Sequence, residues 1–402
     1  MFVLTITQEV PALPINSSAL SLEAAVQEAT SHHRRLAAGR KEATAARLSA
    51  RSARALVNPE INFSPALDQF NGTTEELLIT QPLEINGTRS ARTKGALAHV
   101  RAADASLQTE QREVVATVKS SYIELWRERE LQALAKSLLD TAQTVNRLAQ
   151  KQVELGSRPG VDLAQTGLEV TRARQQETLA LSRVRQAEAA LNAAMGRSPQ
   201  APLPTVALPL TKLELPAVDV AVAGALAARS EVAEETARRD ALQQETALAK
   251  AEGRPDIAPQ FRSQYVTFQA PKRSDYGFSV AIRLPLIDWG ARKSRIQQTE
   301  TATLAQEDRI EQARQGIRQE VVQALARLDG ATTILASFTE ALPQAQKLLT
   351  ATQLGFEEGK TSVLAVLEAQ RTYRTTLTEY AQAQAELALA QAELNRVMGA
   401  AK

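Results

Sequence analysis

From Tyr276 onward apolar and polar residues alternate without a fault. Tyr276, Phe278, Val280, Ile282 and Leu284 take one set of positions, and Asp275, Gly277, Ser279, Ala281 and Arg283 take the other. Side chains of an extended chain point alternately to its two faces, so a strict period of two predicts a strand with one apolar and one polar face. The preceding stretch, Ile257 to Phe268, is placed to pair with it around a turn containing Pro271 and Ser274-Asp275. A shorter version stands earlier, with Glu60–Leu67 and Thr74–Gln81 on either side of Asn71-Gly72. Asn-Gly between two extended runs is a strong hairpin signal, because both residues accept positive φ. The chain thus predicts two β-hairpins, at about 60–82 and 257–285.

Elsewhere the period becomes helical. Residues 88–155 hold no proline and one glycine, Gly95; wholly helical, they reach about 100 Å at ~1.5 Å per residue. The matching stretch, about 291–358, is predicted to be interrupted at Gly316, Gly330 and Pro343. In the segment that follows it, Tyr373, Tyr380, Leu387 and Leu394 recur every seven residues, with Thr376, Ala383, Ala390 and Val397 three positions later. Ala173, Ala180, Ala187 and Ala194 form the corresponding second row in the earlier segment. Heptads require partner helices, and small residues let them approach closely. One more helix precedes each hairpin. The first is predicted from Ser21-Leu22-Glu23, a cap followed by a first-turn acid, to about Val57, where Asn58-Pro59 stops it. The second runs from about Val218 to Ala251 and stops at Gly253-Arg254-Pro255.

These series are copies of one another. Pro82 and Pro285, Gly87 and Gly290, Gly156 and Gly359, and Gly196 and Gly399 are each separated by 203 positions. A fixed offset of this length marks a tandem duplication rather than a solenoid repeat. Pro59 and Pro255 are 196 apart, so the copies differ in length only around the hairpins. The organisation is an extended tail over 1–20, a first repeat over 21–199, a linker over 200–216 and a second repeat over 217–402. Each repeat is helix, hairpin, long helix, tight turn (near 156–161 and 359–363) and return helix.

Composition narrows the chemistry. Aromatics are 4% of the chain, while Ala, Leu, Gln, Glu and Arg dominate, as in long helices. The net charge of +2 is spread over interspersed acids and bases, so no nucleic-acid surface is expected. With no cysteine there is no disulfide, thiolate metal site, cysteine nucleophile or lipid-modified N-terminal cysteine. No apolar run of about 18 residues exists, so no transmembrane helix is predicted. The stretch Met1 to Gln8 lacks the basic and apolar regions of a signal peptide, which fits retention in the cytoplasm or a truncated or misplaced start. His32, His33 and His99 are the three histidines. Neighbours on a helix diverge by about 100°, so neither a metal site nor a nucleophile–base–acid set can be assembled from them. No cofactor and no enzyme are expected. Gly87-x-Arg89-x-x-Arg92 and Gly290-x-Arg292-x-x-Arg295 lack the Gly-Lys-Ser/Thr ending of a phosphate loop and read as strand-to-helix turns, after Pro82 and Pro285.

Three spellings occur in order: Pro-Leu-(x)3-Gly-x-Arg-x-x-Arg after a hairpin, a glycine tip followed by Ser/Thr-x-Leu-x-x-Leu-Glu-Ala-Gln, and a closing Leu-Asn-x-x-Met-Gly. Together, over about residues 21–400, they resemble the outer membrane efflux protein family, the TolC-like channels. Gln81–Arg89 and Gly359–Gln370 carry most of the likeness. The resemblance implies a mainly helical fold with a small β part. Three identical chains would each give four strands to one twelve-stranded barrel in outer-membrane lipid, and their helices would form a periplasmic tunnel. It implies a passive exit duct of a tripartite efflux or type I secretion system in a Gram-negative-type bacterium. The partners implied are a periplasmic adaptor and an inner-membrane transporter. The Pro-Leu-(x)3-Gly-x-Arg spelling leans toward the heavy-metal efflux branch.

By the same resemblance, Asp162 matches an acid that holds the periplasmic entrance closed, and Glu368 an acidic ring position. Gly156, Ser157, Gly359 and Lys360 match the tips that meet the adaptor. Phe356 and Thr361 stand where some members carry a tyrosine and an arginine bonded to the first acid, and Ala365 where a second acid is common. Asp162 and Glu368 also read simply as exposed helix acids, and Gly156 and Gly359 as helix C-caps, which a tip needs anyway. Two other readings compete with the channel. A soluble coiled-coil scaffold leaves the alternating strands without a purpose, and a periplasmic adaptor carries one hairpin between compact β domains rather than two. The first hairpin, with strands of about eight residues, is short against the about 9–11 of a spanning strand.

Overall fold

The computed structural model describes residues 19–65, 74–156, 159–209, 215–266, 273–358 and 360–399. The chain divides into two compact units, one of Met1–His33, Val114–Leu215 and Ala324–Asn395, the other of Arg34–Glu113, Pro216–Gln323 and Arg396–Lys402. The expected class holds: mostly helix, with four strands in one antiparallel sheet.

The second unit holds that sheet, ordered β1 (Glu60–Ser64), β2 (Thr74–Thr80), β3 (Asp256–Val266) and β4 (Arg273–Arg283). Ile61 pairs with Ile79, Ile79 with Phe261, and Phe261 with Phe278. This register gathers Phe63, Leu77, Ile257, Tyr276, Val280 and Ile282 on the same face. The rings of Phe261 and Phe278 lie 5.2 Å apart and tilted, an arrangement aromatic pairs favour. The opposite face is mostly polar, with Leu78, Ala258 and Ala281 among its apolar members. Arg262 pairs with Glu76 at 3.0 Å, and Gln260 donates to the Thr80 hydroxyl at 3.2 Å. The strands of the second hairpin extend further than the sequence suggests, since β4 starts at Arg273 rather than Tyr276. In the first hairpin β2 ends at Thr80, although the Gln81 amide still donates to the Pro259 carbonyl. The Asn71-Gly72 and Pro271 turns lie outside the described residues, as do residues 1–18 of the tail and 210–214 of the linker.

The helices before each hairpin are each two helices, not one. α1 (Leu22–His32) and α2 (Arg34–Arg54) break at His33, and α5 (Val218–Ala228) and α6 (Ser230–Ala251) break at Arg229. Both break residues are extended, with ψ near 126° and 127°. In the first unit Gly196, in left-handed conformation at the end of α4 (Gly160–Met195), lies against the His33 backbone; a Cβ there would stand 3.4 Å from the His33 Cα. In the second unit Gly399 meets Ala228 more tightly, with 2.9 Å to its Cβ. The closing glycine of each repeat therefore marks where a return helix meets a break.

At the second break Arg229 is buried and pairs with Glu231 and Glu320, while Arg112 also pairs with Glu231 and Arg396 with Glu320. Burial alone would push the Glu231 carboxyl up, but the hydrogen bond from Arg229 and the charges of Arg229 and Arg112 outweigh it and hold the group below its ordinary value. Nearby Glu234 goes the other way, pushed up by burial.

The long helices are α3 (Thr88–Glu154) and α7 (Ala291–Glu357), each 67 residues. α7 is continuous. The interruptions expected at Gly316, Gly330 and Pro343 do not occur, and Pro343 sits inside the helix. A single missing N–H is a local cost that packing on both sides of it overrides. α8 (Val363–Val397) shows the expected seam, with Ala383, Ala390, Leu394 and Val397 buried. In the first unit the linker is sewn to helices by side chains. The Tyr122 hydroxyl donates to the Leu20 carbonyl at 2.6 Å and accepts the Ala207 amide at 3.1 Å, and Asn192 donates to the Pro199 and Ala201 carbonyls.

Two outcomes are expected. Pro343 is exposed, so Pro343→Ala restores a helix hydrogen bond without crowding and should stabilise the chain by up to about 3 kcal/mol; a lower unfolding temperature of the detergent-solubilised protein would contradict it. The contribution of Glu231 is present above its ordinary pKa of 4.5 and is lost as pH falls through its lowered folded value. Acid unfolding of Glu231→Gln should therefore show a shallower pH dependence than the parent below about pH 4.5, while the variant is already weaker at neutral pH.

Candidate functional site

Two kinds of joint concentrate the residues singled out in the sequence. The first is the strand-to-helix turn. Pro82 is buried, and Gly87 takes φ +96° just before α3. The last carbonyls of α2 have no partner within their own helix. Arg89 donates to the Arg54 carbonyl through two nitrogens, at 3.0 and 2.8 Å, and Arg92 reaches the Ala53 and Ala55 carbonyls. Arg92 also grips the nearly buried carboxylate of Glu84, which sits at positive φ. The Gly-x-Arg-x-x-Arg spelling is thus a clamp that closes the end of the preceding helix.

In the second copy the same spelling uses carboxylates. Following Pro285, Gly290 takes φ +84°, Arg292 lies 3.4 Å from Asp288, and Arg295 lies 2.9 Å from Glu252. Gly253 makes this possible, since a Cβ there would fall 2.2 Å from an Arg292 nitrogen. Sequence reasoning found the arginines and missed Glu84, Glu252 and Asp288. Their signal was an acid within reach of a conserved-offset arginine in both copies.

The second joint is the helix-to-helix tip. At the first tip α3 gives way to Leu155 and to Gly156 at φ +71°, and α4 starts at Gly160 behind Pro159. Asp162 falls in the first turn of α4, where the helix dipole favours an acid, and is half-buried. Just behind it the buried Thr166 donates to Asn146 on α3 at 2.8 Å. Ser157 and Gly359 lie outside the described residues.

At the second tip the Lys360 and Thr361 amides both donate to the Gly355 carbonyl, at 2.7 and 3.1 Å, and the Thr361 hydroxyl donates to the Thr352 carbonyl. Phe356 is fully buried with Val363 and Val366, against Leu148 and Leu367. Glu368 is exposed on the second turn of α8 and lines a recess of about 610 Å³ with Glu169, Arg172, Arg371 and Arg374. Asp162 is not part of that lining. Among the described residues no group of three or more His, Cys, Asp or Glu is placed to hold a metal ion, and no helix is long and apolar enough to cross a membrane.

The profile of the family described as outer membrane efflux protein matches residues 25–197 and 221–400. The cobalt-zinc-cadmium resistance protein CzcC of Cupriavidus metallidurans is 27% identical over 98% of this chain and 93% of its own. The pyoverdine export outer membrane protein OpmQ of Pseudomonas aeruginosa is 25% identical over 76% of this chain and 65% of its own. Among solved structures, CusC, described in connection with transmembrane channel formation, aligns with a TM-score of 0.82 over 94% of this chain and 92% of its own, at 19% identity, a likeness of fold.

The two clamps should differ in strength. Arg92→Met leaves Glu84 buried and unpaired and is expected to cost about 3–5 kcal/mol, whereas Arg295→Met removes an exposed pair and should cost less than about 1 kcal/mol. Denaturant titration of the two variants beside the parent checks this, and equal losses would show that the clamps are not distinguished by burial.

Proposed function

As a member of the outer membrane efflux protein family, this chain is an outer-membrane exit duct, and we propose that three copies of it close one channel. The observation that carries this reading is the sheet: one face is largely apolar, interrupted by Glu75, Ser263 and Ser274, and both outer strands, β1 and β4, are edges within the chain. An open sheet with such a face is a poor object in water, and exposed edges invite further pairing. Joining β4 of one copy to β1 of the next removes every edge and turns the apolar face to lipid, giving twelve strands from three chains. The helices below form the periplasmic tunnel.

The chain's relatives are transport proteins, which fits a passive duct with no catalytic residue. Its partners are a periplasmic adaptor, met by the tips at Gly156, Ser157, Gly359 and Lys360, and an inner-membrane transporter that supplies energy and selects the cargo. The cargo we assign is heavy-metal cations, on the likeness to the cobalt-zinc-cadmium resistance protein. Asp162 holds the entrance closed from the first turn of α4, and three Glu368 carboxylates around the axis favour cations. Arg172, Arg371 and Arg374 in the same recess temper that ring.

Planar-bilayer recording of the detergent-purified oligomer tests these roles. The parent should form pores, Asp162→Ala should raise conductance severalfold, and Glu368→Ala should lower the cation-over-anion permeability ratio. A water-soluble monomer that forms no pores would sink the channel reading. Pores with an unchanged ratio in Glu368→Ala would remove only the ring.

A further inference from the structure

The turn between β4 and α7 carries a bulky residue in a left-handed conformation with its side chain bare. Trp289 has φ +52°, a conformation that costs a bulky side chain roughly 1–3 kcal/mol. The Asp288 carboxylate braces the turn by accepting the Gly290 and Arg292 amides, but the Trp289 side chain itself is 95% exposed. The first copy shows the contrast. Its positive-φ residue, Glu84, is bonded to Arg92, and the position matching Trp289 is Asn86, whose side chain accepts from Thr88. The bare aromatic belongs to the second copy alone.

Its neighbours are also bare. Leu286 is 82% and Ile287 75% exposed, and both follow β4, whose apolar positions run from Tyr276 to Ile282. On the other side, α7 opens with Ala291-Arg292-Lys293-Ser294-Arg295 and no acid in its first turn. An apolar stretch thus ends in an exposed tryptophan, and the tryptophan is followed by Lys293 between two arginines that are already engaged by Asp288 and Glu252. Tryptophan, with an apolar body and one polar N–H, is most at home where acyl chains meet headgroups. Bases just outside that level are complementary to lipid phosphates.

We infer that Trp289, with Leu286 and Ile287, lies in the headgroup boundary of the periplasmic leaflet of the outer membrane and anchors the chain at a fixed depth. The inference rests on the channel reading, since it takes the apolar face of the sheet to be the lipid face. It adds that the depth is set by the second repeat. In a trimer three of the six strand-to-helix turns then carry the tryptophan, alternating with three that carry Asn86 in its place.

The chain has two tryptophans, Trp126 and Trp289, so the Trp126→Phe variant reports on Trp289 alone. Should that variant fold poorly, the difference between the parent and Trp289→Phe gives the same signal. The full-length protein is reconstituted in phospholipid vesicles carrying bromine at a shallow or a deep acyl position, and pore formation is recorded in the same preparation. The expected result is loss of most Trp289 emission with shallow bromine, a smaller loss with deep bromine, and little quenching by aqueous iodide. Emission quenched by iodide and untouched by either bromolipid places Trp289 in water and overturns the inference. Emission untouched by all three places it under another protein surface and overturns it equally. If pores form in either of those cases, the channel reading stands and only the anchor falls; if no pores form, the channel reading fails and the anchor with it.

Discussion

Helix backbones in this protein approach one another through alanine and glycine, and much else follows from that closeness. At Gly399 even one methyl group would press within 2.9 Å of Ala228, and along the helices Ala91, Ala98 and Ala105 recur every seven residues in buried positions. Seams of this kind have no slack, because interiors are packed like crystals and an added residue rotates every later side chain off the seam. The constant separation of matched residues through the helices is the sequence record of that constraint. It relaxes only around the β-hairpins, where a loop between strands can change length without disturbing any helix.

The same constraint explains where charges are used. A seam of small residues offers little surface to hold the ends of helices, so the ends are held by arginines. Arg89 and Arg92 satisfy the last carbonyls of α2, and Arg292 and Arg295 reach carboxylates near the end of α6 and the start of α7. The two solutions occupy equivalent positions yet differ in burial, and burial rather than spelling decides what each contributes. Glu84 is nearly sealed, so its partner is indispensable; Glu252 remains in water, which screens the pair.

Elements governed by a period were legible in the sequence. The alternation from Tyr276 to Leu284 gave β4 and its apolar face, the seven-residue rows gave the buried side of α8, and the repeat gave the number of hairpins. Elements governed by a single residue were not. The breaks at His33 and Arg229 carry no proline or glycine, and each depends on a return helix more than 160 residues away in sequence pressing on it. Pro343 misled in the opposite direction, because a local propensity of a few kcal/mol yields to packing along a helix of 67 residues. At the tips, Asp162 and Glu368 stand out only by their position within the family pattern, and the fold places them on the first turn of α4 and the second turn of α8. Phe356 stands where some members carry a tyrosine, and in this chain it fills the core of the second tip beside Val363 and Val366.

A duplication gives two versions of every joint, and the helix breaks show what the second version can add. At His33 the backbone contact with Gly196 is joined by the ion pair of Arg197 with Glu28. At Arg229 the contact with Gly399 is joined by three arginines and two glutamates in mutual hydrogen-bonding distance. Buried charges of this kind are weak evidence for stability, since desolvating them costs about as much as their attraction returns. What they supply is direction, because a guanidinium fork meets a carboxylate in few geometries. Glu231 is held below its ordinary pKa by the hydrogen bond from Arg229 and the charges of Arg229 and Arg112, against the opposing effect of burial. The second repeat therefore fixes the angle between its two short helices by oriented bonds. In the first unit the turn after Gly196 is tied to α1 by the Arg197–Glu28 pair, so oriented charge serves both breaks and the second repeat adds more of it.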